Sequence, residues 1–190
     1  MALEGRTPKA CYEPFRKHVS KLIACTLGTN EAVFQIASAR PRYMFQIVPS
    51  GSMIPLKTQF GRLHLHIAQT LEAEQLGRNR FRLRTRSYWY RLHNGPNGNS
   101  RALIRWEYDS YQLKKRESRP ARNHVQLPAK VQVNDETELD LNKLHVPTGW
   151  VLIEEVIRFA IADLGVVPLC GDEWPEILVE GERKFREIFT

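Results

Sequence analysis

Residues 81–92 read Phe-Arg-Leu-Arg-Thr-Arg-Ser-Tyr-Trp-Tyr-Arg-Leu. Successive side chains of a strand point to opposite faces. As one strand, this run places Arg82, Arg84, Arg86, Tyr88 and Tyr90 on one face and Phe81, Leu83, Thr85, Ser87 and Trp89 on the other. The next stretch, Asn94-Gly95-Pro96-Asn97-Gly98-Asn99-Ser100, is a turn by composition. Alternation resumes over 102–109, where Ile104, Trp106 and Tyr108 share a face and Leu103, Arg105 and Glu107 share the other. Two alternating runs around such a turn predict an antiparallel hairpin. Which faces come together depends on register, because a slip of one residue inverts every side chain.

Around this hairpin the chain reads as α+β. Phe15, Val19, Leu22, Ile23 and Thr26 recur at helical spacing, and Gly28 follows as a stop, predicting a helix near 12–27. Trp150, Ile153, Val156, Ile157, Ala160, Ile161 and Leu164 predict a second over 149–164, ended by Gly165. Residues 60–76 fit two periods. Leu63, His64, Leu65, His66 and Ile67 alternate, whereas Leu63, Ile67, Leu71 and Leu76 suit a helix closed by Gly77. The longer pattern favours the helix, on which His64 and His66 diverge by about 200° and cannot chelate together. Apolar runs at 32–37 and 43–48, split by Arg40-Pro41-Arg42, suggest a hairpin or extended edge segments. Asp172 and Pro175 start a shorter C-terminal helix. The expected organisation is one α+β domain over 1–190, its antiparallel sheet centred on the 81–109 hairpin and packed against several helices. A loose arm covers 1–10 and a helical extension covers 172–190.

Charge narrows the function classes. The formal net charge is +7, and the basic residues crowd into 78–122 between more acidic stretches. A local excess of cations suits a polyanion better than net charge alone does. No apolar run approaches the roughly 20 residues that span a bilayer, and the first residues lack a signal-peptide core, so no membrane partner and a cytoplasmic location are expected. Cys11, Cys25 and Cys170 are far apart with no Cys-x-x-Cys pair, so no metal and no cofactor is predicted. His18 reads as a helix-flank residue.

Three constellations carry chemistry. Arg82, Arg84 and Arg86 offer guanidinium groups to phosphates, and Tyr88 and Tyr90 offer rings to bases; the competing reading is a solvated sheet face. Arg105 and Glu107 either pair with the arginine row or supply a general base among cations. His124, beside Arg122, and His145, before Pro147, lie where strand-like runs begin or end. Two imidazoles beside arginines suit metal-independent RNA cleavage. One activates the 2′-hydroxyl, one protonates the leaving oxygen, and arginine steadies the phosphorane.

The stretch from Tyr88 to His145 resembles the TumE family of toxin–antitoxin proteins. A tyrosine-rich strand (Tyr88-Trp89-Tyr90-Arg91) precedes a Gly-containing turn, a strand with Arg, an aromatic and Asp follows (Ile104-Arg105-Trp106-Glu107-Tyr108-Asp109), and a histidine segment comes later (Arg122-Asn123-His124). The resemblance covers about a third of the chain and implies a small toxin acting on RNA. Together the readings predict an RNA-binding protein with metal-independent endoribonuclease activity. His124, His145 and Glu107 are its catalytic candidates, and Arg82, Arg84, Arg86, Tyr88, Tyr90, Arg105 and Arg122 its nucleic-acid contacts. The alternative is a non-catalytic interaction domain whose basic face binds an acidic protein, such as an antitoxin. A DNA-binding regulator is a weaker third reading, for want of a helix-turn-helix pattern.

Overall fold

A computed structural model of the chain describes residues 3–28, 32–39, 42–49, 53–97, 100–110 and 123–186. In chain order the elements are β1 (Glu4–Gly5), α1 (Pro8–Thr26), β2 (Ala32–Ala39), β3 (Arg42–Pro49), β4 (Ile54–Thr58), β5 (Gly61–Gly77), β6 (Arg80–His93), β7 (Ala102–Asp109), β8 (Asn123–Gln126), β9 (Lys130–Gln132), β10 (Glu138–Asp140), β11 (Val146–Pro147), α2 (Ile153–Ala162) and α3 (Trp174–Phe185). The fold is α+β. An antiparallel sheet runs in the order β11-β8-β7-β6-β5-β3-β2, with β1 added beside β6 and β4 beside β5.

The spine of this sheet is the long β5–β6 hairpin. At one end β5 pairs with β4 and β6 with β7; at the other β5 pairs with β3 and β6 with β1. The predicted β6–β7 hairpin is present, with Tyr88 opposite Tyr108 and Trp89 opposite Glu107. Of the two readings of 32–48, a hairpin or extended edge segments, the hairpin is present as β2–β3. Glu4 and Gly5 pair with Arg82 and Phe81, and a helix begins at Pro8, so the expected loose arm is instead tied to the sheet. Thr7 starts that helix by accepting the Ala10 amide hydrogen at 3.1 Å, which satisfies one of the open N-terminal donors. Gly28 and Gly165, read as stops for the first two helices, take φ of 79° and 73°, the left-handed conformation that glycine adopts without cost.

Residues 61–77 form a strand, β5, which corrects the helix expected over 60–76. Leu65, Ile67, Leu71 and Ala73 all face the core, a period of two interrupted in the sequence by Gln69. Gln69 is buried as well, but its amide donates to Thr85 Oγ1 at 3.0 Å and its carbonyl accepts from the Tyr90 hydroxyl at 3.4 Å. Partners on the neighbouring strand make a buried polar side chain tolerable, and those partners are not visible in the local pattern.

The helices lie on one face of the sheet. Tyr12, Phe15, Val19, Leu22 and Ile23 of α1, Val156, Ile157 and Ala160 of α2, and Leu178 of α3 close over Leu65, Ile67, Leu71, Leu83, Tyr90 and Leu92. Burial of this kind contributes about 25 cal/mol per Å² of apolar surface removed from water. His18, read as a helix-flank residue, sits between α1 and α2 with Nε2 3.0 Å from Glu154 Oε1. Among the described residues, no helix is long and apolar enough to cross a membrane.

Candidate functional site

A bulge decides which side chains of β6 share a face. Thr70 pairs with Ser87 and Leu71 with Thr85, so Arg86 is an extra residue on its strand. Such a residue shifts the alternation beyond it by one. Before the bulge Phe81, Leu83 and Thr85 point to the core; after it Tyr88, Tyr90 and Leu92 do. The five-residue ribbon of Arg82, Arg84, Arg86, Tyr88 and Tyr90 is therefore split. The arginines occupy the outer face, while Tyr88 and Tyr90 are 1% and 0% exposed and stack on each other in the core with centroids 4.8 Å apart. Their rings are closed to a base. Burial pushes the Tyr88 hydroxyl up to about 12, and it accepts the Val151 amide hydrogen at 3.1 Å while donating to Asn123 Oδ1 at 3.2 Å.

The outer arginines each have a carboxylate. Arg82 binds Glu4 at 2.7 Å, Arg84 binds Glu74 at 2.7 Å, and Arg86 binds Glu72. Glu107 is not among these partners; Glu72 and Glu74 come from β5, the neighbouring strand. Paired in this way, the row offers little unbalanced charge to a polyanion.

Further along the same outer face the remaining candidates converge. Ladder pairing aligns Trp89, Glu107 and His124 across β6, β7 and β8, and aligns Arg91, Arg105 and Gln126 one step away. Pairing of β11 with β8 sets Pro147 opposite His124. That register carries His145, two residues earlier in the chain, back over Gln126. The His124 and His145 rings meet edge to face, centroids 4.8 Å apart. Glu107 Oε2 lies 4.0 Å from His124 Nε2, while its Oε1 accepts from Arg91 Nε at 2.9 Å and Nη2 at 2.7 Å. Arg105 donates to Asn142 Oδ1 at 2.6 Å. The Gln126 amide nitrogen is 2.9 Å from His145 Nε2 and 3.3 Å from the Asn142 carbonyl oxygen. An amide nitrogen can only donate, so it meets the lone pair of a neutral imidazole. Desolvation, followed by the charges of His124 and Arg105, holds His145 below the ordinary histidine value of 6.5, against a smaller opposing effect of Glu107.

The structure thus brings together His124, His145, Glu107 and Arg105. It sets Arg82, Arg84 and Arg86 apart in ion pairs and removes Tyr88 and Tyr90 to the core. Arg122 lies outside the described residues. Sequence reasoning missed Arg91, Gln126, Asn142 and Trp89. Trp89 is 41% exposed on the outer face, with Arg91 Cζ 5.3 Å from its ring centroid. The bulge exchanged it for the tyrosines, and no local sequence signal marks that exchange. On β5 and β6, His64 and His66 share the outer face after all, and His93 is paired with His64. Among the described residues, however, no group of three or more His, Cys, Asp or Glu side chains is arranged to hold a metal ion. No protein-family model matches the chain, and no curated protein or solved structure is significantly similar to it.

Proposed function

We propose that this outer face binds RNA and cleaves its phosphodiester backbone through proton transfer by His124 and His145. The observation that carries the reading is the meeting of two imidazoles, 4.8 Å apart, beside Glu107, Arg91 and Arg105. His145, held below the ordinary histidine value, is neutral at pH 7 and suits the base. A 2′-hydroxyl arriving at its Nε2 takes the place of the Gln126 amide. The base removes the hydroxyl proton, the 2′ oxygen bonds to phosphorus, and the phosphorus–O5′ bond breaks. His124 delivers a proton to the departing O5′, leaving a 2′,3′-cyclic phosphate and a 5′-hydroxyl. Arg105, held by a neutral amide oxygen, retains its full charge for the pentacoordinate phosphorane. Glu107 positions His124 and Arg91. The resemblance of residues 88–145 to the TumE pattern supports the RNA-directed part of this reading.

The alternative of an acidic protein partner drew on the arginine row, and the carboxylates of Glu4, Glu72 and Glu74 weaken that basis. The test is cleavage of a short single-stranded RNA in the presence of a chelator. His124→Ala and His145→Ala should each lower the rate by about 10²–10⁴-fold, the usual worth of a positioned acid or base. A substrate with a 2′-deoxy sugar at the scissile position should be bound but not cut. Cleavage that survives both alanine variants overturns the assignment.

A further inference from the structure

Next to the two histidines, a cavity of about 370 Å³ opens between the start of β7 and the loop that carries β9 and β10. Arg101, Arg105, Pro128, Lys130, Asp140 and Asn142 line it. Its size falls within the roughly 300–1,000 Å³ typical of small-ligand sites.

The electrostatics of the lining select the ligand. Arg101 donates to the Pro128 carbonyl oxygen and Arg105 to Asn142 Oδ1. Both acceptors are neutral. Each guanidinium therefore keeps its whole charge and spends one of its N–H groups on being held in place, leaving others for a bidentate contact. Two carboxylates stand nearby, and one of them, Asp140, belongs to the lining. Glu138 takes Lys130 at 2.5 Å, and Asp140 accepts the Asn142 amide hydrogen at 3.0 Å with Lys143 Nζ 4.0 Å away. Arg101, Arg105, Lys130 and Lys143 against Glu138 and Asp140 leave the locality net positive. Ala102, Pro128 and the arginine stems supply apolar wall, which suits a ribose or the edge of a base.

The position couples this cavity to the cleavage site. Arg105 and Asn142 belong to both, and a chain of contacts runs from Asn142 through Gln126 to His145. We propose that the cavity is a nucleotide subsite, in which Arg101 holds the phosphate of the residue next to the scissile bond and Arg105, shared with the cleavage site, stands between that phosphate and the scissile one. As a place on the RNA path the inference rests on the cleavage reading; as a nucleotide site it stands on the cavity itself.

Adenosine 5′-monophosphate, which has no phosphodiester to cleave, is the probe. It is titrated into the full chain and followed by amide and side-chain NMR shifts, alongside inorganic phosphate. Binding should perturb the Arg101 and Arg105 side chains, be tighter than that of phosphate alone, and weaken about tenfold or more in Arg101→Gln, the loss expected for one charge-assisted contact. Arg101→Lys, which keeps the charge without the fork, should fall between. Arg101 is exposed, so its replacement leaves the core untouched. On RNA, Arg101→Gln should raise KM and leave kcat in place. Unchanged nucleotide binding in Arg101→Gln overturns the subsite, even where cleavage dependent on His145 shows the reaction to be right. Nucleotide binding that depends on Arg101, in a protein that cuts no RNA, upholds the subsite and removes the cleavage reading.

Discussion

Replacing Gly181 with alanine puts a methyl group where three helices meet. A Cβ there would stand 2.4 Å from Glu154 Oε1 and 2.7 Å from His18 Nε2. Both distances lie well inside van der Waals contact, so something must move. The atoms met are the ends of side chains, but the Glu154 side chain is only 3% exposed and its oxygen is bound to His18 at 3.0 Å. Swinging the carboxylate away gives up a contact of the kind worth about 1.5–3 kcal/mol. Against this, alanine in a helix interior is favoured over glycine by about 1 kcal/mol. The net expectation is a loss of about 0.5–2 kcal/mol, which for a chain of this size lowers Tm by roughly 2–4 °C per kcal/mol. In a His18→Ala/Glu154→Ala background both obstructing groups are gone and the propensity gain remains. There the same replacement should stabilise by about 0.5–1 kcal/mol. Urea unfolding of the four proteins measures the cycle. The reversal of sign is the diagnostic result, because a generic packing defect would be destabilising in both backgrounds. Equal destabilisation in the two, or stabilisation in the wild type, refutes the close approach of α3 to the His18–Glu154 pair.

Three more outcomes follow from the outer face. His145 is active as a base only when neutral, and its lowered pKa keeps it neutral to a pH below 6.5; kcat/KM should therefore fall on acidification with a midpoint under 6.5, and a midpoint above that value contradicts the assignment. Charge-neutral replacement of Arg82, Arg84 and Arg86 together should change the slope of log affinity against log salt for single-stranded RNA by less than 1, whereas three phosphate contacts at roughly 0.7 each would change it by about 2. Arg86→Gln alone should lower stability by about 1–3 kcal/mol, since it disturbs the buried Glu72 carboxylate; the shift of the urea midpoint reads this directly.

The sequence by itself determined the elements whose signal is local. The spacing of Phe15, Val19, Leu22 and Ile23 specifies α1 because a 3.6-residue period needs no partner to be read. The β6–β7 hairpin follows from alternation on both sides of an Asn- and Gly-rich turn. His124, His145, Glu107 and Arg105 were legible as candidates by residue type and position. Three things belonged to the tertiary structure. Gln69 sits at a core position of β5 because Thr85 and Tyr90 satisfy it, so the strand looks helical until its neighbour is known. The bulge at Arg86 is a property of pairing between two strands; it buries Tyr88 and Tyr90, presents Trp89, and aligns the arginine row with Glu72 and Glu74. The meeting of His124 with His145 depends on β11 adding to β8, across a gap in sequence that no local period spans. A single strand's alternation says which side chains share a face, but only the register with its neighbours says which face it is and what stands beside them.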